Sequence, residues 1–242
     1  MNTNPLTRTI GELVVENPGR ARVFEAAGLD YCCGGKRTLE SACAERGLDA
    51  ERIAEQLAES DEASPGVTDD CATKSLTELA DHIEASHHAY LREELPRLER
   101  LAGKVSKAHG QRDPVLVRLE EVIASFSAEM DHHMTKEERM LFPIIRALEA
   151  GDRPKNYGFG SIADPIRIME SEHDRSGDAL AEMRGLTGGF ARASARCNTH
   201  LALLDGLETL ERDTHQHVHK ENNVLFPRAI ELEAARAANG AN

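Results

Sequence analysis

The stretch His217-Val218-His219-Lys220-Glu221-Asn222-Asn223-Val224-Leu225-Phe226-Pro227 decides the fold, because its frame occurs once before as His133-x-x-x-Glu137 followed by Leu141-Phe142-Pro143. The two copies lie 84 residues apart, from His133 to His217, and stay in register through the proline. A histidine and a glutamate four apart on a helix share one face, so both side chains reach the same metal-sized space. Each copy also has an earlier histidine: His88 lies 45 residues before His133, and His173 lies 44 before His217. Each half therefore reads as a helical hairpin, one helix giving a histidine and the next a histidine plus a carboxylate. Two such hairpins make a four-helix bundle with inward-facing ligands.

Composition agrees with an all-α chain. Aromatic residues are 4% of 242, tryptophan is absent, and Ala, Leu and Glu are abundant while β-branched runs are few, a balance that favours helix over sheet. The net charge of −13, with basic residues dispersed, repels a phosphate backbone and argues against nucleic-acid binding. No apolar stretch approaches the length of a membrane span, and Met1 to Thr9 lack the apolar core of a signal peptide, so no membrane partner and a cytoplasmic address are expected. Five cysteines at irregular spacing, two of them adjacent, fit reduced thiols better than a disulfide framework.

Along the chain, Asn17-Pro18 and Gly28 frame a short helix over 18–27. Gly47 stops another over 38–46, and Asp49 caps a third over 50–59. Residues from Ser60 to Lys74, with Ser64-Pro65-Gly66 and acidic Asp61, Glu62, Asp69 and Asp70, have linker composition. The division expected is a small helical amino-terminal domain, 1–60, a linker, 61–74, and a bundle, 75–242. Ser75-Leu76-Thr77-Glu78 reads as a capping box opening the first bundle helix. Asp113-Pro114 and Asp164-Pro165 open the second and third. Pro143 and Pro227 each remove a backbone donor and should kink or end the helix carrying the His-Glu pair.

Polar residues on an apolar stripe cost free energy unless bonded or bound, so six converging ones need a common explanation. Four histidines and two glutamates from four helices match the logic of di-iron carboxylate bundles, in which glutamates bridge two metals and histidines terminate each. Periodicity leaves His87 and His88 unseparated. His132 and His219 have no carboxylate four residues later. His82, His200 and His215 read as core or surface residues, as does His109, which lies in a loop as a weak supporting candidate.

Residues 75–235 resemble a hemerythrin-like domain. Alignment to that family through Arg92-Glu93-x-Leu95-Pro96 favours His88, giving the expected metal ligands His88, His133, Glu137, His173, His217 and Glu221. The resemblance implies two non-haem iron ions, carboxylate- and oxo-bridged. Oxygen carriers of this type have a further histidine one turn after the third-helix ligand. Here that position is Gly177, so open coordination suits reactivity more than dioxygen storage.

The amino-terminal segment carries Asp30-Tyr31-Cys32-Cys33-Gly34-Gly35-Lys36. With Glu170-Ser171-Glu172-His173-Asp174 and the His217–Pro227 string, the chain resembles the iron-sulfur cluster repair di-iron proteins of the YtfE/ScdA/DnrN type over nearly its whole length. The resemblance implies a cytoplasmic protein that repairs clusters after nitrosative or oxidative stress as an iron donor, with iron-sulfur proteins as clients and nitric oxide as a ligand, which it would bind or reduce. The competing expectation is a hemerythrin-like nitric oxide or dioxygen sensor without turnover. Cys32 and Cys33 are the candidate catalytic thiols, delivering electrons or receiving iron. Gly34 and Gly35 permit close backbone approach, and Lys36 would lower a thiol pKa if near. The apolar residues Ile10, Leu13, Val14, Val23, Phe24 and Leu29 need a partner surface, which a homodimer or the chain's own bundle would equally supply.

Overall fold

The structure, a computed structural model, describes residues 4–63, 70–152 and 160–239. Met1–Thr3, Ser64-Pro65-Gly66 and Asp69 of the sequence reading lie outside the described residues. Among the described residues the chain is helical without a strand, and one isolated antiparallel bridge pairs Thr9 with Thr38. The all-α expectation is met. No described helix is long and apolar enough to cross a membrane.

The short helices begin with one not anticipated from the sequence, α1 (Ile10–Glu16), opened by a reciprocal capping box between Thr9 and Glu12. A 3₁₀ turn at Pro18–Arg20 leads into α2 (Ala21–Ala27), which Gly28 ends in the left-handed region at φ 68°. Thr38 caps α3 (Leu39–Arg46), and the Asp49 carboxylate accepts the Glu51 and Arg52 N–H groups at the start of α4 (Ala50–Ala63). Helix α4 runs past the expected stop at Glu59. Asp61, read as linker, accepts from Arg20 Nη2 at 2.6 Å and Asn17 Nδ2 at 2.7 Å.

Ser75 and Glu78 form the expected capping box of α5 (Leu76–Ile83), each side chain accepting the other's backbone N–H. A π-helical turn, Glu84–His88, continues it into α6 (Ala89–His109). Helix α7 (Val115–Lys136) passes through a second π turn, Glu137–Leu141, into α8 (Phe142–Ala150). Helix α9 (Ala163–Leu186) comes next, and α10 (Asn198–Lys220) passes through a third, Glu221–Leu225, into α11 (Phe226–Asn239). The expected kinks therefore take a specific form. In both repeats the phenylalanine N–H reaches five residues back, Phe142 to Glu137 and Phe226 to Glu221. The next residue is a proline, with no N–H to give and a ring that crowds the carbonyl four back, and the widened turn takes up that mismatch. The Glu84–His88 turn has no proline at the matching place, and nothing in its sequence explains it.

The chain divides into two compact units, residues 80–214 and residues 1–79 with 215–242, the boundaries falling inside α5 and α10. In the first, the apolar stripes of α6, α7, α9 and α10 meet in one core, with Leu91, Leu98, Ile123, Met183, Leu203 and Leu210 fully buried. Each such side chain contributes roughly 1.5–3 kcal/mol. In the second, Ile10, Leu13, Phe24, Leu39 and Cys43 are fully buried together, joined by Val14 and Leu29. Five of the six apolar residues that raised the question of a partner surface, all but the partly buried Val23, are thus buried with one another in this unit.

Candidate metal centre

Within residues 80–214 four candidate ligands come together. His88 closes the first π turn, His133 lies in the last turn of α7, Glu137 opens the second π turn, and His173 lies in α9. All four are buried, at 3% exposure or less. His88 Nε2 and His133 Nε2 lie 3.4 Å and 3.3 Å from the same Glu137 oxygen, Oε2, and His133 Nε2 is 3.0 Å from His173 Nε2. The ligand atoms of His133, Glu137 and His173 all fall within 4.8 Å of one another. The Phe142 ring of the Leu-Phe-Pro string stacks on His88 at 5.8 Å.

The far side of these rings shows which nitrogen is offered. His88 Nδ1 is 2.8 Å from Glu138 Oε1, and His133 Nδ1 is 2.9 Å from Glu172 Oε2. A carboxylate only accepts, so Nδ1 carries the proton in both rings and Nε2 keeps its lone pair toward the centre. Cations back the two carboxylates. Arg92 Nη2 donates to Glu138 at 2.8 Å, and Lys136 Nζ donates to Glu172. Donation from His133, and then Lys136, outweighs burial and draws the Glu172 carboxyl down to about 2. Burial alone would raise Glu138, but Arg92 and His88 hold it below its ordinary value. Buried imidazole nitrogens and a carboxylate oxygen converging at these distances, with ring tautomers fixed from behind, form a donor set that suits iron or another transition metal. Glu138 and Glu172 were missed in the sequence reading, though each is adjacent to a candidate ligand.

Within residues 1–79 and 215–242, His217 Nε2 lies 3.0 Å from Glu221 Oε1, both side chains fully buried. The residues after Glu221 hold the cysteine loop. Asn223 Nδ2 donates to the carbonyls of Cys32 at 3.1 Å and Tyr31 at 3.3 Å, and Asn222 Nδ2 reaches Cys32 O at 3.5 Å. His219 and His215 meet the Tyr31 ring edge-on at 5.4 and 6.2 Å. Gly11 and Gly35 make this fit possible. A Cβ on either would stand 2.4 Å from Asn223 Oδ1, so close approach is the reason for glycine there.

Inside the loop, Asp30 is the organiser. Its Oδ1 accepts the N–H groups of Cys32 and Cys33 at 3.0 Å each, and Oδ2 accepts that of Gly34 at 3.0 Å. The Cys32 thiol donates to Asp30 Oδ1 at 3.1 Å and lies 3.9 Å from Cys33 Sγ. Contact with Cys33, then burial and the Asp30 charge, push the Cys32 thiol well above its ordinary pKa. The loop thus raises the Cys32 thiol, the opposite of the lowering that a nearby Lys36 would bring.

The remaining histidines turn elsewhere. His87 Nδ1 meets Asp213 Oδ1 at 2.9 Å, and His82 lies edge-on to His87. His109 contacts Cys197 Sγ at 3.4 Å, so it does not support the ligands, and His200 Nδ1 accepts the Arg196 N–H. His132 is exposed. Cys43 and Cys71 are buried, and Cys197 is exposed.

The sequence matches the family described as hemerythrin HHE cation binding domain over residues 79–229. Residues 6–61 match the amino-terminal ScdA family, described as a domain of unknown function, DUF542. Among similar proteins, the iron-sulfur cluster repair protein YtfE of Citrobacter koseri is 37% identical over 222 residues, covering 91% of this chain and 96% of that protein. YtfE of Escherichia coli O157:H7 matches with the same identity and coverage. The buried histidine and glutamate groups thus lie within the stretch matched to a cation-binding domain, and the chain belongs to the YtfE family of iron-sulfur cluster repair proteins.

Proposed function

We propose that His88, His133, Glu137, His173, His217 and Glu221 together hold two non-haem iron ions, and that the protein repairs iron-sulfur clusters damaged by nitrosative or oxidative stress, donating iron to client proteins in the cytoplasm. The observation that carries the reading is the buried group His133, Glu137 and His173, with His88 Nε2 3.4 Å from Glu137 and the His88 and His133 rings held from behind by Glu138 and Glu172. The sequence repeat supports joining His217 and Glu221 to it, because they repeat His133 and Glu137 in type, in spacing and in the Leu-Phe-Pro string beyond. The name of these relatives supports the repair role. In this reading residues 1–60 are a thiol module, 61–74 a linker and 75–242 the iron-holding bundle.

Iron supplies ligand exchange and electron transfer when bound, including the binding and reduction of nitric oxide. The protein's own residues do the rest. Glu138 and Glu172 keep the Nδ1 protons in place, the bundle core excludes water, and the two asparagines hold Cys32 beside the turn that begins at Glu221. Cys32 and Cys33 deliver electrons or receive iron.

The test is metal content on protein purified without oxygen, alongside Glu137→Leu and Glu221→Leu, then repair of a nitric oxide-damaged cluster protein and assay for nitrous oxide. About two irons per chain, lost in both variants, is the expected result. One zinc, or iron retained in either variant, overturns the shared centre. Iron retained in the wild type without repair would leave a nitric oxide or dioxygen sensor instead.

A further inference from the structure

Resting on the reading in which Cys32 and Cys33 receive iron, we infer that Asp30, Cys32 and Cys33 form a second cation site, separate from the histidine and glutamate ligands, for a thiophilic divalent ion of the Fe²⁺ or Zn²⁺ kind. One ligand atom from each lies within 4.8 Å of the other two, and the geometry resembles a bite already set. A tetrahedral thiolate site with metal–sulfur bonds of about 2.3 Å places its sulfurs a little under 4 Å apart by trigonometry. The two Sγ atoms stand at 3.9 Å.

The third ligand is held in place before any ion arrives. Three backbone N–H groups fix the Asp30 carboxylate, so little side-chain entropy remains to be lost on binding. The Cys32 S–H now points at Asp30 Oδ1, and its proton occupies the place between sulfur and oxygen that a cation would take. Binding is an exchange. Each thiol gives its proton to solvent as a sulfur–metal bond forms, the Asp30 carboxylate exchanges its thiol hydrogen bond for a bond to the ion, and no oxidant or reductant is needed.

Soft thiolates select Zn²⁺, Fe²⁺ and Cu⁺ over Mg²⁺ and Ca²⁺. Three protein ligands leave one tetrahedral position open, which marks a site that exchanges its ion rather than one that locks a fold. Cys33 is partly exposed while Cys32 is buried, giving an entry side and an inner side. Replacing two thiol protons makes affinity rise with pH.

The probe is Cd²⁺, titrated into the reduced, iron-loaded, full-length chain without oxygen, reading thiolate-to-cadmium charge-transfer absorption while iron content is tracked. One Cd²⁺ per chain with no iron lost is expected. Cys33→Ser, a near-isosteric change at a partly exposed position, should abolish the band. Asp30→Asn should weaken binding by at least the roughly tenfold that loss of even an outer partner brings. Glu137→Leu should leave the band unchanged, which separates this site from the proposed iron centre. No band in a chain whose thiols titrate as free, or an undiminished band in Cys33→Ser, overturns the proposal.

Discussion

The two copies of the His-x-x-x-Glu frame share a backbone and diverge immediately after the glutamate. In the first copy the next residue, Glu138, turns to the neighbouring ring and holds His88 Nδ1, with Arg92 behind it. In the second copy the next residues are Asn222 and Asn223, and both turn to the carbonyls of the cysteine loop. The widened π turn starts at the glutamate in each case. One frame thus serves two ends: its first copy aims a candidate metal-binding histidine, and its second fastens a thiol loop one residue from a candidate ligand.

Glycine substitutions break the second copy's fastening most directly. Gly35→Ala puts a Cβ 2.4 Å from Asn223 Oδ1 and 2.7 Å from the Tyr31 carbonyl, an overpacking that costs about 1–3 kcal/mol. Gly11→Ala meets the same Asn223 oxygen, but its nearest backbone neighbour, Gly35 O, stands further off at 3.0 Å. Adding Asn223→Ala should therefore rescue Gly11→Ala and leave much of the Gly35→Ala defect. Urea unfolding of the three single and two double variants measures this coupling. Equal rescue of both would mean that Asn223 alone sets the spacing.

Glu138→Gln tests the first copy. The amide keeps the shape but loses the charge that fixes His88 Nδ1–H, and metal affinity should fall about 10–100-fold. Competition with a chelator reads the loss, and the rate at which a thiol reagent labels Cys33 should not change. Asn223→Ala should do the reverse, labelling Cys33 faster while iron affinity holds. It removes donors to two carbonyls, at about 0.5–1.5 kcal/mol per bond. If each variant moved both readouts, the division of labour between the copies would be wrong.

Much of this was legible in the sequence because it rests on short-range rules. The His-x-x-x-Glu spacing, the capping box at Ser75 and Glu78, and the glycine stops at Gly28 and Gly47 each depend on residues within a turn or two. Helix α1 was missed although Thr9-x-x-Glu12 signals it, because Gly11 in its first turn lowers helix propensity. The π turns were read as kinks, since a period of 3.6 does not register one inserted residue. Glu138 and Glu172 sit beside ligands in sequence, but their partners lie 50 and 39 residues away. The asparagine grip on Cys32 spans 190 and 191 residues, a distance no local pattern covers.

The smallest expected effect sharpens the same contrast from outside both copies. Asp61 lies where linker composition begins, yet the Arg20 hydrogen bond and charge, aided by Asn17, hold its carboxyl below its ordinary value of 3.8 against a raising effect of burial. A carboxyl depressed in the folded state stabilises it above the unfolded pKa, and that contribution disappears as pH falls through the lower folded value. Hydrogen exchange of α1 to α4, corrected for intrinsic rates, should therefore show protection declining below about pH 4. Asp61→Asn should flatten the decline and cost up to about 1 kcal/mol at neutral pH, an amount limited by solvent screening at this partly exposed pair. Glu16 is also depressed, chiefly by Arg20, so a shallow slope should persist in the variant. An unchanged slope would mean that Asp61 is paired without contributing to stability, and that α4 holds its place through Ile53 and Leu57 in the core.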